Sequence, residues 1–217
     1  MKIMKYIREP VNGLTHFFAA IAGLIGTGVL VYLAHDHWQK LISLLVYGLS
    51  VVLLFAASAT YHLVKGSPKT IEKLRKFDHS AIFILIAGSY TPFCYNNFTG
   101  FWKWGLLAII WSIAIIGVLI KSFYVRSPRW VSATIYVAMG WIVILAIGEM
   151  IRTLPAGAIV WIAVGGVVYT LGAIVYATKM FNFIPNKFGY HEVWHIFVIL
   201  GAAAHFIAIA GYIAPKG

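Results

Sequence analysis

Seven long stretches of this chain carry no Asp, Glu, Lys or Arg: Pro10 to His35, Leu41 to Val64, His79 to Trp102, Trp104 to Ile120, Trp130 to Gly148, Thr153 to Thr178 and Val193 to Pro215. Crossing the hydrocarbon of a bilayer takes roughly 20 predominantly apolar residues in a helix, because every backbone N–H and C=O there must be paired within the segment. Each stretch is close to that length, and charged or turn residues separate it from the next. The pattern predicts an all-α polytopic membrane protein, a bundle of seven transmembrane helices at roughly 12–34, 40–64, 77–96, 102–121, 129–150, 156–179 and 189–213, in one domain over 1–217. Such a chain belongs in a cell membrane. The basic Met1 to Arg8 segment resembles the start of a secretory signal, but the apolar run after it is too long and opens with Asn12, Thr15 and His16.

Composition agrees: 61% of the 217 residues are hydrophobic and 11% charged, outside the range of soluble domains. The net charge of +11 would suit nucleic acid, but the cations sit in loops between apolar helices, so they report topology and no nucleic-acid partner is expected. On one side lie Lys2, Lys5, Arg8, Lys65, Lys69, Lys73, Arg75, Lys76, Lys121, Arg126, Arg129, Lys179 and Lys187; on the other, Lys40, Lys103, Arg152 and Lys216. Positive loops stay in the cytoplasm, which places the N-terminus inside and the C-terminus outside. Cys94 is the single cysteine, so no intrachain disulfide forms. Trp38, Trp102, Trp104, Trp130 and Trp161 fall near helix ends, as interfacial anchors do. Gly23, Gly26, Gly28, Gly165 and Gly166 suit close helix contacts.

Ionisable side chains inside a membrane are costly, so each is a candidate site. The set is small: His16, His62, Asp78, His79, Glu149, His191, Glu192, His195 and His205. Helix 2 ends on the cytoplasmic side at His62, helix 3 begins there at Asp78, and helix 7 begins there with His191 and His195. Four ligand-type residues from three helices thus share one depth, while Glu149 lies at the opposite leaflet. His191 and His195 are spaced i, i+4, which sets two imidazoles on one helix face. With His62 they make three neutral nitrogen ligands and leave a fourth position open, the pattern of a catalytic zinc site, although Fe, Cu and Ni also accept imidazole. Asp78 suits a role one water away from the metal; its alternative is an ion pair with Arg75 or Lys76. Ser58, one turn before His62, either hydrogen-bonds within the site or back to its own helix. His79 faces about 100° away from Asp78, and His205 lies about 15 Å beyond His195, so both are poorer ligand candidates.

These residues fall in a recognisable order. Glu9, Asn12, Thr15 and His16 stand in EPVNGLTH; Ser58 and His62 in SATYH; Phe77, Asp78 and His79 in FDHSAIF; AGSYTPF closes helix 3; and His191 and His195 stand in HEVWH. In that order the chain resembles bacterial hemolysin III type members of the progestin and adiponectin receptor (PAQR) superfamily, over nearly its whole length. The resemblance implies a seven-helix bundle, zinc (Zn2+) held by His62, His191 and His195, Asp78 near the metal-bound water and Ser58 beside it. It also implies a role in membrane homeostasis and, through the related receptors and alkaline ceramidases, hydrolysis of a lipid amide.

Three functions compete. The first is a zinc-dependent hydrolase of a lipid amide or ester, ceramidase-like, whose substrate enters from the membrane lipids between helices. The second is a receptor-like regulator of membrane fluidity in which zinc only pins helices together. The third is a pore-forming cytolysin or transporter, which would spread ionisable groups through the membrane depth, whereas here they gather near one face. A retinal protein would need an intramembrane lysine in helix 7, which has none between Gly189 and Ile213. A haem protein would show strong visible absorbance.

Overall fold

The computed structural model describes residues 7–184 and 188–215, and each charge-free stretch within them is helical over most of its length. Seven helices follow one another: α1 (Pro10–Ala34), α2 (Trp38–Leu63), α3 (Pro68–Asn96), α4 (Gly100–Phe123), α5 (Arg129–Thr153), α6 (Ala156–Thr178) and α7 (Tyr190–Tyr212). Among the described residues the extended pairing is a single bridge, Ile184 with Phe188, in the link before α7. Lys2, Lys5, Lys187 and Lys216, which enter the charge balance, lie outside the described residues.

Six of the helices are long and apolar enough to cross a bilayer outright. The exception is α3, which begins at Pro68 and not near residue 77. Its extra turns carry Lys69, Glu72, Lys73, Arg75 and Lys76, which dilute its apolar character without shortening the part beyond Asp78. The early start has a local cause. Ser67 accepts the Thr70 N–H at 3.2 Å, and Pro68 supplies the first helical residue without leaving an N–H unpaired.

The helices form a ring: α1 packs on α2, α2 on α3, α3 on α5 and α7, α5 on α6, α6 on α7, and α7 returns to α1. α4 sits outside it, chiefly against α3. Two helix pairs approach closely through glycine: a methyl on Gly48 would come within 2.5 Å of Thr27 Oγ1, and one on Gly88 would collide with Ser50. Among the glycines suggested by sequence, Gly26 lies against Phe206 and Gly165 against His205, but Gly28 faces open space. Phe18, Leu24 and Ile25 of α1 are more than half exposed, as lipid-facing side chains are. Trp38, Trp104 and Trp130 are likewise exposed near helix ends, whereas Trp102 and Trp161 pack against the core. Cys94 is fully buried.

α5 is interrupted. Between its two α-helical parts, Ile142–Ala146 is wound as a 3-10 helix. Tyr90 of α3 reaches into the break: its hydroxyl accepts the Val143 N–H at 2.8 Å and lies 3.0 and 2.7 Å from the carbonyls of Met139 and Gly140. Backbone groups freed in an apolar setting need such a partner.

Candidate functional site

Three histidines converge at the end of the bundle where α2 finishes and α7 begins. His62 lies in the last turn of α2, and His191 and His195 occupy the first two turns of α7. One nitrogen from each lies within 4.8 Å of the other two, a set that could hold a metal ion. The Nε2 atoms of His62 and His191 are 3.4 Å apart. A tetrahedral zinc with Zn–N bonds of about 2.0–2.1 Å sets its nitrogens about 3.3 Å apart, so the spacing fits. Further room for a partner shows in His195, which is buried with no hydrogen bond to Nδ1. The donor set, three imidazoles and no thiolate, also suits zinc.

Asp78 sits in α3 at the same level but outside this nitrogen cluster. Ser58, buried one turn before His62, lies beside its carboxylate. Both border a cavity of about 220 Å³ lined chiefly by α3, α5, α6 and α7, with Leu54 and Ser58 of α2 and His16 of α1 contributing. His191 and His195 lie at one end of it and Phe98 and Met150 at the other, with an apolar wall including Ile82, Leu85 and Ile162 between. That shape suits a molecule with one long apolar arm and a polar group at its head.

Other histidines are sorted by the fold. His79 touches the cavity, and its carbonyl accepts the Tyr136 hydroxyl at 3.1 Å. His205, deeper in α7, lies 3.3 Å from the Ile162 carbonyl and lines the same cavity. Glu149 is at the opposite end of the bundle, where it accepts Thr99 N–H at 2.7 Å, Thr99 Oγ1 at 3.0 Å and Arg152 Nη2 at 2.7 Å.

Two residues contribute more than their sequence reading assigned. His16 of α1 is buried, stacks on His195 at 3.7 Å between ring centres, and has no hydrogen bond to either nitrogen. Glu9, just ahead of α1, places Oε2 2.5 Å from His62 Nδ1. Burial opposes ionisation of Glu9, but the His62 hydrogen bond and the Arg8 guanidinium outweigh it and hold the carboxyl below its usual value. One turn on, Asn12 donates to Glu192 Oε1 at 2.8 Å, and Glu192 Oε2 accepts the Gly189 N–H at 2.7 Å. Glu9 lies outside the charge-free runs and so escapes a search confined to them. The available signal is its spacing of three from Asn12 and seven from His16, one helix face.

Seven helices, six of them apolar enough to cross a bilayer, with a histidine cluster between α2 and α7, define a multi-pass protein of the cell membrane. Comparison with known proteins supplies the family: residues 4–206 match the model described as Haemolysin-III related, and the chain belongs to that family. It is 34% identical to hemolysin-3 of Bacillus cereus over 217 residues, covering 99% of this chain and 96% of that protein. Identity to the hemolysin-3 homolog of Bacillus subtilis (strain 168) is 32%, over 94% and 93% of the two chains. The human monocyte to macrophage differentiation factor is 30% identical, over 93% of this chain and 83% of its own.

Proposed function

We propose that this chain is a zinc-dependent hydrolase working at the cytoplasmic side of the membrane on a lipid amide or ester. The observation that carries the reading is the position of the three-histidine cluster, with Asp78 and Ser58, at the polar head of an apolar cavity. Zinc bound by His62, His191 and His195 would supply Lewis acidity toward the substrate carbonyl and make water nucleophilic near neutral pH. Asp78 takes the proton of the attacking water and returns it to the leaving nitrogen or oxygen. Ser58 holds the Asp78 carboxylate in place for that transfer. The cavity receives the acyl chain of a membrane lipid that enters between helices, and its apolar wall keeps bulk water from the reaction.

A second reading, a non-catalytic regulator with structural zinc, draws support from the hydrogen bonds by which Glu9, Asn12 and Glu192 join α1, α2 and α7. One experiment separates them. Metal content is measured on detergent-purified protein, wild type beside His191→Ala with His195→Ala, and the same samples are assayed on lipid amides and esters. About one zinc per wild-type chain, little in the variant, and hydrolysis stopped by a chelator support the hydrolase. Zinc without turnover on any acyl lipid favours the regulator. A folded wild type that takes up no metal removes both.

A further inference from the structure

The approach to α1 runs alongside the end of α2. Arg8 and Glu9 donate their backbone N–H groups to the carbonyls of Leu63 at 3.4 Å and His62 at 3.0 Å. Pro10, the first residue of α1, has no N–H to satisfy, so the chain turns into the helix directly after Glu9. Glu9 is therefore fixed to His62 twice, by its backbone and by its carboxylate on Nδ1. Its second oxygen is held 3.2 Å from Arg8 Nε.

A carboxylate can only accept, so the proton on this edge of the ring sits on His62 Nδ1. In the neutral ring, Nε2, the nitrogen 3.4 Å from His191 Nε2, then carries the lone pair. That is the tautomer a metal needs, and the partner carboxylate also makes the imidazole a stronger donor. The neighbouring hydrogen bonds extend the hold to the other ligand helix. Asn12 lies 3.4 Å from Glu9 Oε2 and 2.8 Å from Glu192 Oε1, and Glu192 closes the first turn of α7, where His191 sits.

We propose that Glu9 is a positioning residue of the metal centre: it acts through His62, setting the tautomer and orientation of that imidazole so that zinc affinity depends on a carboxylate that touches no metal. The proposal rests on the reading of His62, His191 and His195 as metal ligands. Asn12 and Glu192 register α7 against the same anchor, so all three ligand rings are referred to the first turn of α1.

The test measures zinc affinity of the full chain in detergent by competition with a chromophoric chelator, with cobalt substitution as a spectroscopic companion. Glu9→Gln keeps the size and an acceptor oxygen but loses the charge. Its zinc affinity is expected to fall about 10- to 100-fold, with a shifted cobalt ligand-field spectrum, and Glu9→Asp should recover part of the loss. A purely structural role would lower the melting temperature of the metal-free protein without moving the cobalt bands. Should Glu9→Gln fail to fold, nitrogen-15 shifts of His62 in the zinc-loaded wild type decide: a proton on Nδ1 sustains the proposal and one on Nε2 overturns it. Equal zinc affinity and an unchanged cobalt spectrum in Glu9→Gln overturn it while leaving the metal reading intact. A wild type that loads neither zinc nor cobalt overturns the metal reading itself and this proposal with it.

Discussion

The two ends of the bundle each gather polar groups beside an apolar interior, but they are finished differently. At one end Glu149 receives both donors of Thr99 and the guanidinium of Arg152, and none of these side chains is left with a buried unpaired atom. At the other, among the described residues, both nitrogens of His16, Nδ1 of His195 and Oδ1 of Asn12 are buried without a hydrogen bond. A cluster that satisfies itself holds helices together and asks for nothing more. One that leaves polar atoms open has room to accept a ligand. Charge content alone would have ranked them the other way, since the ion pair of Arg152 with Glu149 is the more conspicuous feature.

Substitutions test whether that contrast separates a reactive centre from a structural clamp. Asp78→Asn keeps the size and hydrogen-bonding reach of the side chain but removes the proton acceptor. Turnover of a lipid substrate is expected to fall about 10²- to 10⁴-fold, with zinc content held near the wild-type value. Loss of zinc along with activity would instead make Asp78 part of the metal's support. At the opposite end, Glu149→Gln should lower the melting temperature in a denaturation assay, since Thr99 and Arg152 lose a charged acceptor, and should leave metal content alone. A zinc loss there would break the division between the two ends. The smallest effect is expected for His205→Leu, whose ring borders the same cavity far from the cluster: about 1 kcal/mol or less, with zinc unchanged.

Much of this was legible in the sequence because the bilayer imposes one rule everywhere. Seven charge-free runs delimit the helices, and the alternation of chain direction brings His62, Asp78, His191 and His195 to one level. The rest depended on contacts across the bundle. α3 starts early because of Ser67 and Pro68, a capping signal hidden by the charges that follow it. The break in α5 has no glycine or proline at Ile142–Ala146 to announce it; a tyrosine from another helix stabilises it. The pairing of Glu9 with His62 spans 53 positions in the chain, and only the closure of α1 against α2 reveals it.

The Tyr90 hydroxyl also carries a mechanical consequence. Tyr90 and Asp78 stand on the same helix, twelve residues or about 18 Å apart, so the group at the head of the cavity and the group seated in its wall belong to one rigid rod. Any state in which α5 regains a continuous α-helical ladder must first evict that hydroxyl from Val143. The local winding of α5 is thereby fixed by the same helix that carries Asp78 to the polar head of the cavity.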